Sequence, residues 1–524
     1  MTAWYLAIDL GTGGSKVAAV ASDGSVLAAA FRSTDTILTD DGGAEQDPDH
    51  WWDGIVDAIR HIGRELTGGV EGPCAGVGIT GQWGSTVPVG ADGRAVGPCI
   101  LWSDHRGEPW SKQITGGRLA VAGYAPQRVA QWLRLAGGAP NPNGADPTGH
   151  EQFLLHARSH VHRRAMALME PVDHIGMRLT GRCAATPASM VASWLTNNRS
   201  GAPAVYDPTL VRLARRTAEK LPELRPTGAR LGGLLAEVAD EIGHQALLPA
   251  GTPVVCGVPD LHTAAFGAGA VDDYAGHIAI STTAWVSAPV PFKKTDLTHQ
   301  MASVPGVRSG SYIIANNHET GGAALRWLRD AVLDGDGRFD SYDAITAEAA
   351  RATPGSGGVI FCPWLNGERS PVSDANLRAS FLNVSISTNR ADLIRAVLEG
   401  VAYNARWLLE ATERFAGRRL DGLRLLGGGA TSELWCQIHA DVIGRPILQV
   451  ADPMNVNVRG AAWFAAHHLG HLTLSDITSR TPAARVFEPS AENRAATKPL
   501  YAEFVRLAKD QRAMYRRLNG SRHS

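Results

Sequence analysis

The sequence predicts an α/β protein built as two halves, and three observations predict it. Residues 5–80 run strand, strand, strand, helix, strand. A second strand–turn–strand unit follows residue 252. A later strand at Leu423–Leu426 feeds a glycine triplet and then a helix, as a tight β–α connection does. With 524 residues the chain is long enough for two large domains, and the boundary is expected near residues 250–257, giving 1–255 and 256–524.

Each element has a local reason. Tyr5–Asp9 is a short apolar run that stops at the turn Gly11–Gly14. Lys16–Val20 returns, Ser22-Asp23-Gly24-Ser25 is a hairpin turn, and Val26–Arg32 supplies a third strand. Asp47-Pro48 starts a helix that runs to about Leu66, since proline is preset for a first helical turn. Ala75–Thr80 is a buried strand. Residues 135–149 are rich in Gly, Pro and Asn and form a surface loop. Residues 150–250 carry a mostly helical pattern broken by prolines. His277–Ile280 and Val286–Val290 flank a polar turn, and Ser311–Ala315 adds a strand. A helix from about Ser432 to Ile443 places Leu434, Trp435, Ile438 and Val442 on one face.

Composition excludes several classes. Lys plus Arg number 50 against 51 Asp plus Glu, so no global basic field exists to hold nucleic acid or an anionic membrane. No apolar run reaches the roughly 18 residues of a membrane span. The start MTAWYLAIDLGTGG meets Asp9 almost at once and reads as a first strand, not a signal peptide. The six cysteines form no CxxC pair and read as reduced, mostly buried thiols of a cytoplasmic protein. His467, His468 and His471 have no carboxylate partner at metal-ligand spacing, and no GxSxG turn is present.

Three turns have the make-up to cradle phosphate, or are plain connections. The first, Asp9-Leu10-Gly11-Thr12-Gly13-Gly14-Ser15-Lys16, is neither a Walker loop nor a dinucleotide fingerprint, yet its backbone amides form a nest beside two hydroxyls and a cation. The second is Ser281-Thr282-Thr283-Ala284. The third is Gly427-Gly428-Gly429 before a helix start, where a ligand can lie against backbone. Two aspartates stand out. Asp9 ends a strand at the first turn. Asp260 precedes a helix at the seam between halves, where it reads either as a helix N-cap or as a general base.

Taken together these motifs resemble the FGGY carbohydrate kinases, most closely the xylulokinase branch. The resemblance spans about residues 4–470: YLAIDLGTGGSK, EQDPDHWW, GVGITGQWGST, CILWSDHRG, GVPDLHTAAFGAGAV, FCPWLNGERSPVSDANLRASFLNVS, LIRAVLEGVAYNAR and LRLLGGGATSELWCQIHADVIGRPI follow in the family's order. It implies two ribonuclease-H-like domains of the actin, hexokinase and Hsp70 superfamily, each with a mixed five-stranded sheet, around an interdomain cleft. It implies roles too. Asp260 matches the catalytic base and Asp9 the carboxylate that positions Mg²⁺. Thr12, Gly13, Lys16, Thr282, Thr283, Gly322, Arg326, Gly428, Gly429 and Ser432 fall on ATP-binding positions. Gln82, Trp83, Asp104 and Arg106 fall on the sugar side.

The chain departs from the xylulokinase pattern where Gln-Met-His-Gly is replaced by Gln82-Trp83-Gly84-Ser85, which removes an imidazole donor to the sugar. The expected activity is ATP-dependent phosphorylation of a sugar hydroxyl, D-xylulose to D-xylulose 5-phosphate. The alternatives are another ketopentose, a polyol or a sugar acid, and more distantly an inactive sugar- or nucleotide-binding protein or an actin-like ATPase. ATP and Mg²⁺ are the implied cofactors and a small sugar the partner. Neither nucleic acid nor membrane is expected, and a homodimer is left open.

Overall fold

The computed structural model describes residues 3–67, 69–70, 72–120, 123–308, 310–333 and 339–520. The first sheet is opened by β1 (Trp4–Gly11), β2 (Gly14–Ala21) and β3 (Val26–Ser33), which meander antiparallel. Gly11 faces Gly14 in register, so only Thr12 and Gly13 form the turn. Gly14 has φ +146°, and a Cβ there would lie 2.2 Å from the Arg32 carbonyl oxygen. The hairpin therefore closes only with glycine at this position.

Helix α1 (Pro48–Leu66) starts as the sequence predicts, with the Asp47 carboxylate accepting from Asp49 N. Its apolar side, Trp51, Trp52, Ile55, Ile59, Ile62 and Leu66, is buried against Leu6, Ile8, Val17 and Ala19 of the sheet. Each such side chain contributes about 1.5–3 kcal/mol on burial. β4 (Val77–Gly81) then pairs parallel with β1. After α2 (Pro171–Thr180), β5 (Arg230–Gly233) forms an antiparallel edge on β6 (Pro253–Val255). Both β6 and β7 (Val258–Pro259) pair parallel with β4. This sheet has seven strands where the family resemblance implied five. The strand at Arg230–Gly233 and the short strands Ala167–Met169, Ala184–Ala185 and Glu223–Leu224 were invisible in a region read as mostly helical. They are too short, and in β5 too rich in glycine, to show an alternating pattern.

The second half repeats the plan. After α3 (Asp260–Gly267), β8 (Ala275–Ile280) and β9 (Ala284–Ser287) form a hairpin. Next come α4 (Arg390–Ala416), β10 (Asp421–Leu426), α5 (Glu433–Ile443), β11 (Ile447–Val450), α6 (Val456–His468) and β12 (Ala483–Phe487). The sheet order is β9-β8-β10-β11-β12, with β8, β10 and β11 parallel and an antiparallel strand at either edge. Hairpin, parallel strands and antiparallel edge thus occur twice, as a pair of ribonuclease-H-like domains requires.

Helices α3 and α6 lie between the sheets. Tyr5, Ala7, Ala18 and Val20 pack on Val458, Ala461, Ala462 and Phe464 of α6. On the other side, Ala264 of α3, Ala268 just after it and Val456 of α6 pack on Ala275, Ala279, Leu426 and Val450 of the second half. The helices cross backbone on backbone: a Cβ on Gly267 would meet the Val456 carbonyl oxygen at 1.9 Å, and one on Gly460 the Thr263 carbonyl oxygen at 1.9 Å. This close crossing sets the end of α3 against the first residue of α6, and Thr263 against Gly460.

Candidate active site

The three glycine- and threonine-rich turns converge. Asp9 faces Lys16 across the first hairpin and Thr80 across the parallel pair. The Lys16 ammonium donates to the Met454 carbonyl oxygen at 2.6 Å, crossing to the segment between β11 and α6. One residue earlier, Pro453 O accepts from Gly427 N at 3.1 Å. Gly427, with φ +86°, lies so close to Ile280 that a Cβ would sit 2.5 Å from its carbonyl oxygen. Ile280 leads into the second turn, where Ser281 O and Thr282 O accept from Gly322 N at 2.6 Å and Gly321 N at 2.9 Å. One continuous chain of contacts thus joins Lys16, the glycine triplet, the threonine turn and Gly322.

What these turns expose suits an anionic ligand. Gly13, Ser281, Thr282 and Gly428 are exposed, and Thr283 is half-buried. Gly428 has room: a Cβ there would meet only the Met454 sulfur, at 3.5 Å. Gly429 by contrast is packed on Ile280 and is needed for the turn itself. Ser432 caps α5 by accepting from Trp435 N at 3.3 Å. Arg326 is exposed on the short helix Ala323–Trp327 that follows Gly322. Exposed amides, hydroxyls and the Lys16 and Arg326 cations are the groups that bind phosphate oxygens.

Asp260 is the first residue of α3 and Pro259 stands at the N-cap position, so Asp260 is not the helix N-cap. A buried threonine pair fixes it. Thr263 Oγ1 donates to Asp260 O at 3.1 Å and lies 2.8 Å from Thr80 Oγ1, which donates to Val258 O at 3.0 Å. Burial, and then the charge of Asp9, push the Asp260 carboxyl up to about 7. Burial also pushes Asp9 up to about 6, while Lys16 and the side-chain amide of Asn457 pull it back. The two carboxyls are near enough to oppose each other's ionisation, which leaves Asp260 poised to accept a proton near neutrality.

Asn457, in the first turn of α6, was not singled out from sequence. Its Oδ1 is buried with no hydrogen-bond partner. A carboxylate and an unsatisfied amide oxygen side by side are hard donors of the kind Mg²⁺ takes, and the ion needs few protein ligands because phosphates and waters complete its shell. The residues present therefore fit such an ion.

The sugar-side residues cluster around Thr12. Its hydroxyl lies 3.4 Å from Gln82 Oε1 and accepts from Trp102 Nε1 at 3.3 Å, while Gln46 Nε2 donates to Thr12 O at 2.7 Å. Trp83 is half-buried and packs toward Leu261 and Ala265 on the helix that carries Asp260. Asp104 and Arg106 are withdrawn into the wall. Asp104 is 0% exposed and accepts from Ala44 N and from Arg106 N, Nε and Nη2; Arg106 is 8% exposed and also donates to Glu45. The Arg106 guanidinium stacks 4.2 Å above the Phe153 ring. The pair shapes the wall from behind. Glu170, also missed from sequence, accepts from Gly84 N and Ser85 N. No local pattern links a glutamate to a turn 86 residues away.

Comparison with known proteins agrees with this geometry. Residues 4–128 match the N-terminal domain, and residues 281–469 the C-terminal domain, of the FGGY family of carbohydrate kinases. A gluconokinase of Bacillus subtilis is 23% identical over 98% of this chain and 97% of its own. A xylulose kinase of Staphylococcus epidermidis is 26% identical over 97% of each chain. Among solved structures, a gluconate kinase from Lactobacillus acidophilus superposes with a TM-score of 0.83 at 21% identity, over 99% of this chain and 100% of that one.

Proposed function

Because this chain belongs to the FGGY family of carbohydrate kinases, we propose that it transfers the γ-phosphoryl group of ATP to a hydroxyl of a neutral sugar, D-xylulose, giving D-xylulose 5-phosphate. The observation that carries the reading is Asp260. It is a carboxyl at the interdomain seam, raised to about 7 and close to Asp9. Asp260 takes the proton of the acceptor hydroxyl as its oxygen bonds to the γ-phosphorus. The bond from phosphorus to the β–γ bridging oxygen breaks, and ADP leaves. Phosphoryl transfer asks mainly for positioning and charge neutralisation. Gly13, Lys16, Thr282, Thr283 and Gly322 supply these along the phosphates. Arg326, Gly428 and Ser432 hold the nucleotide, and Gly429 lets the turn beneath it close on Ile280. Asp9, with Asn457 beside it, would hold Mg²⁺, whose charge would neutralise the phosphates.

Two observations favour an uncharged acceptor over a sugar acid. The guanidiniums of Arg106 and Arg158 are both committed to Glu45, and Arg106 to Asp104 as well. Asp260, once it loses its proton as pH rises through about 7, places a carboxylate near the acceptor, which opposes a carboxylate ligand. Gluconate remains the second reading because of the gluconokinase relative. Coupled ATP-consumption assays over pentuloses, polyols and aldonic acids test both. The highest kcat/KM is expected for D-xylulose. A higher value for gluconate overturns the neutral-acceptor reading, and ATP turnover indifferent to every added sugar overturns the kinase reading.

A further inference from the structure

Glu170 immediately precedes α2 and is 1% exposed. Its Oε2 accepts from Gly84 N at 2.9 Å and from Ser85 N at 3.2 Å, and Oε1 lies 3.2 Å from Gly84 N. Among the described residues no lysine, arginine or histidine lies within ion-pair distance of it; burial and then Asp173 oppose its ionisation, which the two amides and the more distant Arg216 favour. A carboxyl buried without a cation is costly. Here two consecutive backbone amides offset that cost, and Gly84, at φ +81°, gives the turn a backbone conformation that side chains rarely adopt. The same turn carries Gln82 and Trp83. Ser85 Oγ accepts from Trp102 N at 3.0 Å, and Trp102 reaches Thr12 through its indole N–H. One buried carboxyl thus holds the turn on which the sugar-side wall depends.

We propose that Glu170 is the positioning residue of the sugar-side turn, setting affinity for the acceptor while leaving ATP binding untouched. The proposal rests on the kinase reading above. The full-length Glu170→Ala and Glu170→Gln proteins test it, through separate KM values for sugar and ATP and through hydrogen exchange of the Gly84 and Ser85 amides. Losing the acceptor leaves two buried N–H groups unpaired. In Glu170→Ala we expect sugar kcat/KM to fall about tenfold or more, equivalent to about 1.4 kcal/mol. Both amides exchange faster and ATP KM stays within about twofold. Glu170→Gln keeps one carbonyl oxygen and falls between. Unchanged sugar kinetics and unchanged exchange in a folded Glu170→Ala protein overturn the proposal, as does a parallel loss in sugar and ATP binding, the mark of a merely structural role. If Glu170→Ala does not fold, the same two readouts on Glu170→Gln decide it. If the wild type accepts no neutral sugar, the substrate reading fails on its own, and the amide exchange still decides whether Glu170 holds the turn.

Discussion

Replacing Asp260 with asparagine separates what this residue costs the fold from what it gives the reaction. Its carboxyl is raised from 3.8 to about 7 by burial and by Asp9. At about 1.36 kcal/mol per pH unit, that rise corresponds to on the order of 4 kcal/mol against folding once the group is charged, and partial solvent access reduces it to roughly 2–3 kcal/mol. The sign follows from linkage. A carboxyl whose folded pKa exceeds its unfolded value favours folding below pH about 4 and loses that advantage as pH rises through about 7. Asparagine is uncharged throughout. At pH 8 the Asp260→Asn protein should therefore be more stable than wild type, with a midpoint a few degrees higher, and the difference should vanish below pH about 4. Turnover should fall by about 10²–10⁴ with ATP affinity kept, because the general base is gone. Scanning fluorimetry across pH and a coupled ADP assay on one preparation measure both. A variant that is folded but less stable at pH 8, or that turns over within tenfold of wild type, would refute the assignment of this carboxyl as a strained, functional base.

Three further outcomes follow from the same geometry. Gly428→Val should weaken ATP binding by about tenfold or more while leaving sugar binding and stability nearly unchanged, since its Cβ meets only the Met454 sulfur; unchanged ATP affinity by calorimetry reduces the triplet to a β–α turn. Lys16→Met should raise ATP KM and shift the acid limb of the kcat/KM profile to higher pH, because Lys16 is the larger of the two influences that lower the Asp9 pKa; an unmoved limb separates Asp9 from the reaction. Trp83→Met should change the ranking of pentuloses by about 3–10-fold with ATP KM constant, the range that modest apolar contacts supply; an unaltered ranking means the indole only packs against α3. Gly84→His is a poorer probe of the missing imidazole, because φ at Gly84 is +81° and a Cβ would sit 3.5 Å from that of Trp102.

Much of this protein was legible in the sequence. Local runs of apolar residues, an Asp-Pro helix start and glycine clusters place β1 to β3, α1, and the β10–α5 connection near their observed bounds, because hydrogen bonding along a strand or helix is decided within a few residues. Ordered motifs marked the family, and with it Asp9, Asp260 and the three turns. The tertiary structure alone decided how these meet. Lys16 finds a carbonyl 438 positions away, and Asp260 acquires its raised pKa only when folding buries it beside Asp9. Asp104 and Arg106 look like ligands in sequence, yet packing turns them toward each other, and Glu170 reaches the Gly84 turn and Asn457 reaches Asp9 through contacts that leave no trace in their own neighbourhoods. The reason is physical: spacing along the chain encodes the period of an element, whereas burial and charge coupling depend on which distant surfaces close over a group and exclude water from it.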